Sequence, residues 1–385
     1  MAIGSTGNSD FPQGIWRNLY IHLPFCASKC GYCAFYSCTG AAAALRKRYL
    51  TALKEFLSRC IYTEKLETVY LGGGTPNFLT ANELADLLEF VHDKLPLQSQ
   101  CEISCELNPE CLTESKLSVL NEYVTRLSLG VQSFDGNVRR TLMRRCSDEH
   151  LSAALKLLRR RKALHFNIDL IYGVADVPWS IFQSDMQNAL VEGVDHLSCY
   201  ALTPEENSLL GLTAPSADDN TAAEWWLKIG DFLEAKNLKR YEISNYAVPG
   251  GECRHNMNVW NGDTLLGVGA AASGFNGCDR YTFEADIESF IEKNSFTLDR
   301  TDALLRMLEI FAVKLRTAGG WNFEQWEKRY PGSWDKMKKL SERAAKGNPD
   351  WWQISDKQIN LTSNGLLFWD DVAMDVLDWV EDIEK

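Results

Sequence analysis

The sequence predicts an α/β fold built on parallel strands, followed by a smaller, mostly helical domain. Short apolar runs rich in β-branched and aromatic residues alternate six or seven times with longer amphipathic stretches. That order implies parallel strands joined by helical crossovers, in an α/β barrel or an open sheet. The most unusual residues follow these runs, at the C-terminal strand ends where such folds place their chemistry. From about residue 276 the alternation stops and helical patterns take over.

NLYIHL reads as the first strand and LRKRYLTALKEFLSRC as its helix. ETVYLGG is followed by ANELADLLEFVHDKL, a helix with Thr80 as its cap. CEISCELN precedes helical TESKLSVLNEY, and TRLSLGVQS precedes DGNVRRTLM and DEHLSAALKLLRRR. HFNIDLIYG leads to WSIFQSDMQNALVEG, HLSCYALT leads to AAEWWLKIGDFLEAKN, and KRYEISNYA ends the series. Beyond it, ALLRMLEIFAVKLR, FEQWEKRY and WDKMKKLSERAAKG read as helices, WWQISDKQINLT as a hairpin and NGLLFWDDVAMDVLDWV as a closing helix. Helices followed by a hairpin suggest a winged-helix-like domain. The expected division is a tail over 1–17, a main body over 18–275 and this domain over 276–385.

The 385 residues are 45% hydrophobic and 24% charged, enough apolar material for a sizeable core. A net charge of −12 disfavours nucleic acid and anionic membrane surfaces as partners. The acidic C-terminus argues likewise against DNA binding by the winged-helix-like unit. MAIGSTGNSDFPQG lacks the features of a signal peptide, and no apolar run reaches membrane-spanning length. A cytoplasmic location without membrane insertion is expected. In such a reducing compartment most of the twelve cysteines read as small buried hydrophobes.

CASKCGYCAFYSC, residues 26–38, is the exception. Cys26, Cys30 and Cys33 follow the first strand with C-x3-C-x2-C spacing. Three thiolates in one loop fit three corners of an iron–sulfur cube, leaving one iron open to a cofactor. This spacing is the signature of radical SAM enzymes, in which the open iron chelates S-adenosylmethionine (SAM). The alternative is zinc, which wants four ligands, commonly as paired C-x2-C units. Cys38 sits at an uncommon spacing for that purpose and reads as a non-ligand. Tyr32 and Phe35 would shield the cluster and face adenine. GGGTP, residues 72–76, follows the second strand and lets backbone groups approach a ligand closely, here the SAM amino group. It lacks the Lys-Ser/Thr ending of a phosphate loop.

Together, YIHLPFCASKCGYCAF, YLGGGTPNFL, SCELNPE, RLSLGVQSFD, NIDLIYG, YALTPEE, YEISNYA, RHNMNVW and LGVGAAASGF resemble the oxygen-independent coproporphyrinogen III oxidase group of radical SAM proteins. The resemblance covers roughly residues 18–275 and implies a partial (β/α)6 TIM-like barrel. The decarboxylating oxidases carry another cysteine where this chain has Phe35, and a longer N-terminal extension. Both differences resemble the heme-chaperone branch, which binds heme for delivery to respiratory enzymes and other hemoproteins. The resemblance assigns Cys26, Cys30 and Cys33 to a 4Fe-4S cluster, and Tyr20 to the neighbourhood of cluster and SAM. Gly73, Gly74 and Thr75 would hold the methionyl moiety. Glu106, Gln132, Arg144 and Asp169 would bind the SAM ribose and carboxylate. For Glu106 and Asp169 the bland reading is a strand-end carboxylate capping a helix. His255 matches the histidine of an HNxxYW motif associated with heme, and reads equally well as a structural histidine. His22 lies beside the cluster loop and could hydrogen-bond a ligand or sulfur.

Implied partners are heme or another tetrapyrrole, an electron donor such as flavodoxin or ferredoxin, and a heme-accepting protein. The chain departs from the group at Cys146, in place of a histidine, at Val259, in place of the motif tyrosine, at Ser273, in place of a histidine, and at VADVP after the fifth strand. Two further functions remain open: coproporphyrinogen decarboxylation, or another radical SAM reaction on a tetrapyrrole, and a scaffold that binds SAM without turnover.

Overall fold

The computed structural model describes residues 14–380. Residues 1–13 of the expected tail lie outside the described residues, but residues 14–17 are not tail-like. Trp16 is buried edge-on to Tyr281 at 6.3 Å, and Arg17 pairs with Glu67. The chain forms two compact units, each made of two chain segments. The first runs to Trp225 and includes Thr264–Asp299; the second is Trp226–Asp263 with Arg300 onward. This differs from a single boundary at residue 275.

In the first unit, β1 (Asn18–Leu23), β2 (Leu66–Gly73), β3 (Leu97–Leu107), β4 (Arg126–Gln132), β5 (His165–Tyr172) and β6 (His196–Ala201) lie side by side in chain order. All five pairings are parallel. With helical crossovers between them, this is the partial (β/α)6 barrel arrangement. β7 (Leu265–Val268) pairs parallel with the other edge of β1. β8 (Ser273–Phe275), β9 (Arg280–Phe283) and β10 (Phe296–Asp299) continue the sheet antiparallel. These last four strands were absent from the sequence reading. LGVGAAASGF is too short and too rich in glycine and alanine to show a strand period.

The crossover helices follow from amphipathic spacing and caps. Ala43–Arg59 buries Tyr49, Leu50, Leu53, Phe56 and Leu57 along one face. Ala81–Lys94 opens with a capping box: Thr80 accepts from the Glu83 N–H, and Glu83 accepts from the Thr80 N–H at 2.8 Å. Ser147 caps Asp148–Leu158.

Deep between the strands runs a buried polar layer. Thr68 donates to Asn18 at 2.8 Å, and Arg126 pairs with Glu102 at 3.1 Å. The Asn167 amide donates to Ser128, Asp169 and Ser198, and its oxygen lies 2.7 Å from His196 Nδ1. Burial, with Arg126 adding to it, lowers the His196 pKa to about 3, so its ring is neutral.

The second unit is mostly helical, with a three-stranded antiparallel sheet of Trp321–Asn322, Gln358–Leu361 and Trp352–Ile354. Its core centres on Trp326, in ring contact with Phe311 at 5.1 Å and Trp321 at 4.9 Å. The expected single closing helix is two, Ser363–Leu367 and Trp369–Asp378. Among the described residues no helix is long and apolar enough to cross a membrane.

Candidate functional site

The C-terminal ends of the first unit's strands surround a cavity of about 570 Å³. Cys26, Cys30 and Cys33 line one wall; Gly73, Gly74 and Thr75, with Glu106, Gln132, Arg144 and Asp169, line the rest. Tyr20 and Phe35 also border it. Every expected cluster and SAM residue therefore meets at one place. The strand register explains how: Tyr20 lies opposite Tyr70, Glu106 opposite Ser128, and Gly130 opposite Asp169.

The cysteine loop is tied down by main-chain bonds. Gly31 donates to Leu142 O at 3.0 Å and accepts from Leu210 N at 2.8 Å. Phe25–Cys26 pairs with Cys38–Thr39 as a short parallel bridge. The Cys38 thiol turns to its neighbouring carbonyl at Thr39, and Cys38 does not line the cavity. His22 does not reach a sulfur. Its Nε2 lies 3.1 Å from Tyr36 O, which can only accept, so Nδ1 accepts from the Tyr20 hydroxyl at 3.1 Å. The ring thus braces the loop from beneath. Phe35 is 70% exposed at the mouth, while Tyr32 packs into the apolar cluster of Val138, Leu142 and Leu202.

The glycine turn is shaped by close approach. A Cβ on Gly74 would come within 2.9 Å of the backbone of Leu23 and Phe25, and Gly73 has φ +106°. From this turn a chain of hydrogen bonds crosses the cavity wall. Cys26 Sγ lies 3.4 Å from Thr75 Oγ1, Asn108 donates to Thr75 at 2.9 Å, and Arg144 donates to Asn108 at 3.0 Å and to Cys30 Sγ at 3.3 Å. Asn108 and Glu110 had no assigned role in the sequence reading. The signal was the Asn-Pro-Glu run after β3, which pins an amide at a strand end.

Glu106 is half-buried in the cavity wall. It accepts from the Tyr70 hydroxyl at 2.9 Å and the Gly73 N–H at 3.2 Å. Burial, with the Asp169 charge adding to it, raises its pKa to about 7. Burial also raises Asp169, opposed by donors that include Asn167 at 2.7 Å and Ser128 at 3.0 Å. Neither carboxylate caps a helix. Gln132 holds a left-handed φ of 70° at a register shift between β4 and β5. His255 lies in the second unit, on the short helix Arg254–Trp260, and is buried.

The donor set fits a cluster better than a single ion. Among the described residues no three His, Cys, Asp or Glu side chains are gathered around one metal position. A zinc ion would need its sulfurs gathered at about 2.3 Å from one centre. An iron–sulfur cube attaches each cysteine to a different iron. Burial raises the Cys26 and Cys33 thiols, so their thiolates call for a cationic partner. Arg144 lines the cavity, and the second N–H of its Nη1 is open to an anionic group of a ligand.

Residues 20–183 match the radical SAM superfamily. The heme chaperone HemW of Mycobacterium tuberculosis (strain H37Rv) is 36% identical over 276 residues, which are 68% of this chain and 70% of the relative. The chain belongs to the HemW family of radical SAM proteins. HemW of Escherichia coli is 33% identical over 67% of this chain and 69% of its own length; HemW of Bacillus subtilis is 26% identical over 92% and 98%. The fold is that of coproporphyrinogen III oxidase (HemN) from Escherichia coli, with TM-score 0.80 and 18% identity over 95% of this chain and 91% of that one.

Proposed function

We propose that this HemW-family protein binds a 4Fe-4S cluster through Cys26, Cys30 and Cys33, binds SAM in the adjoining cavity, and carries heme to an acceptor protein. The observation that carries the cofactor reading is the meeting of three loop thiols with the glycine turn and two half-buried carboxyls around one cavity. The heme reading follows the relatives named heme chaperones. When bound, a reduced cluster supplies the electron for cleavage of SAM.

The chain's own groups do the rest. The Gly73–Thr75 backbone accommodates the methionyl group closely. Glu106 and Asp169 accept from ribose hydroxyls, and those donors favour the ionised form of Glu106, lowering its raised pKa. Arg144 offers its remaining N–H groups to the carboxylate. Tyr32 and its apolar neighbours back one side of the cysteine loop. An electron donor such as flavodoxin or ferredoxin, acting in the same compartment, completes the scheme.

The test is anaerobic reconstitution followed by heme titration. Full iron and sulfide in the wild type, lost in Cys30→Ala, supports the ligand set; full loading of the variant refutes it. Saturable one-to-one heme binding supports heme carriage. No binding, or decarboxylation of coproporphyrinogen III, refutes it. His255→Ala separates two roles. Its side chain is buried, so external heme iron reaches it only if the short helix unpacks. Weakened heme binding at unchanged thermal stability identifies ligation; a joint loss identifies structure.

A further inference from the structure

The three cluster cysteines have unlike partners. Cys26 faces a neutral hydroxyl, Thr75 Oγ1, at 3.4 Å, and Cys33 a backbone N–H, that of Phe35. Cys30 alone of the three has an arginine within hydrogen-bond distance: Arg144 Nη1 lies 3.3 Å from its sulfur. That contact does not come from a loosely placed side chain. Arg144 Nη2 donates to Gly130 O at 2.6 Å and to Asn108 Oδ1 at 3.0 Å, with Glu110 at 3.7 Å. Two acceptors on one nitrogen fix the plane of the guanidinium, and the plane aims Nη1 at Cys30. The arginine side chain is 2% exposed. Its charge is permanent at any accessible pH.

We propose that Arg144 is a positioning residue that sets the reduction potential of the cluster, through a charge-assisted N–H···S bond to Cys30. This rests on the reading of Cys26, Cys30 and Cys33 as cluster ligands. One-electron reduction adds negative charge that is shared with the cysteine sulfurs. A donor and a buried positive charge beside one sulfur stabilise the reduced form more than the oxidised form, and so raise the potential. Burial keeps solvent from screening the effect. The sulfur contact occupies only one N–H of Nη1. The other N–H of Nη1 remains for a ligand carboxylate in the cavity that Arg144 lines, so the two roles of Arg144 are compatible.

The test compares the full-length chain with Arg144→Met and Arg144→Lys. Each is reconstituted anaerobically, its iron and sulfide are counted, and its cluster is titrated with dithionite and mediators under electron paramagnetic resonance, without SAM. Dithionite supplies the electron. The expected result is a more negative midpoint in Arg144→Met. Arg144→Lys keeps the charge but lacks the planar fork, and is expected to shift less in the same direction. A structural role alone changes loading or thermal stability and leaves the midpoint of the loaded cluster where it was. An unchanged midpoint in fully loaded Arg144→Met overturns the proposal. Should that variant fail to fold or load, Arg144→Lys decides: a negative shift supports the proposal and an unchanged midpoint overturns it. A wild type that takes up no iron or sulfide refutes the ligand reading itself, before any potential is measured.

Discussion

Glu106 joins the sheet to the glycine turn, and its proton is the clearest pH-sensitive element of the cavity. Its pKa of about 7 in the fold stands above its ordinary 4.5, chiefly through burial. Between those values the unfolded chain has released a proton that the fold still holds. The contribution of this group to stability is therefore present at acid pH and lost as pH rises from 4.5 to about 7. Asp169 is displaced in the same direction and adds to the trend. The thermal midpoint of the apoprotein should fall over this window, and Glu106→Gln should flatten the slope. An identical slope in the variant would refute the assignment. The cysteine loop and Glu106 stood out because they lie at predicted strand ends, whereas Arg144, between the helices Gly136–Thr141 and Asp148–Leu158, was singled out only through the family resemblance. Their partners were not legible. Nothing in the spacing shows that His22 holds the Tyr36 carbonyl, which depends on how the cysteine loop folds back on its own strand, or that Arg144 reaches Cys30 from the far side of three further strands.

At the scale of elements, the glycine turn after β2 is the most constrained part of the site. A methyl on Gly74 would fall 2.8 Å from Phe25 N and 2.9 Å from Leu23 O, both backbone atoms held in the sheet or its extension. Gly74→Ala is expected to cost about 1–3 kcal/mol by overpacking, and to lower SAM affinity as the turn shifts. Chemical denaturation and equilibrium binding would check both; wild-type values for each would show that the turn has room. The six parallel strands were readable from their β-branched runs. The antiparallel strands from Ser273 to Asp299 were not, because strands of three or four residues carry no usable period. The kink in β4 was equally hidden: Gln132 adopts a left-handed backbone that its sequence context does not announce.

At the scale of the molecule, both units are discontinuous, so each depends on bonds between distant chain segments. In the second unit Arg316 pairs with Glu242 at 3.0 Å, and Glu242 has 1% of its side chain exposed. Arg316 also lies over the Trp260 ring at 3.9 Å. The YEISNYA and RHNMNVW motifs thus converge on one arginine. Arg316→Ala would leave a buried carboxylate without its cation, held by the Ser244 N–H and the Asn245 amide, and is expected to destabilise this unit by about 3–5 kcal/mol. Calorimetry should then resolve an earlier transition; an unchanged thermogram would mean that Glu242 finds another partner. Sequence reading placed both motifs in the main body because they precede residue 275 in the chain. Chain order gives no indication that 226–263 folds with 300–380.

The bonds at Gly31 have a practical consequence. This glycine laces the cysteine loop to Leu142 on one side and to Leu210 on the other, and the 204–213 segment beyond carries the exposed leucines Leu209 and Leu212. A cluster bound as proposed would stiffen the cysteine loop and so splint a surface segment many residues away in sequence. Chymotrypsin, which cuts after leucine, becomes a gauge of iron loading: apoprotein should be nicked in this segment faster than reconstituted protein. Equal cleavage rates would mean that the lacing holds without iron, and that the scaffold is finished before its cofactor arrives.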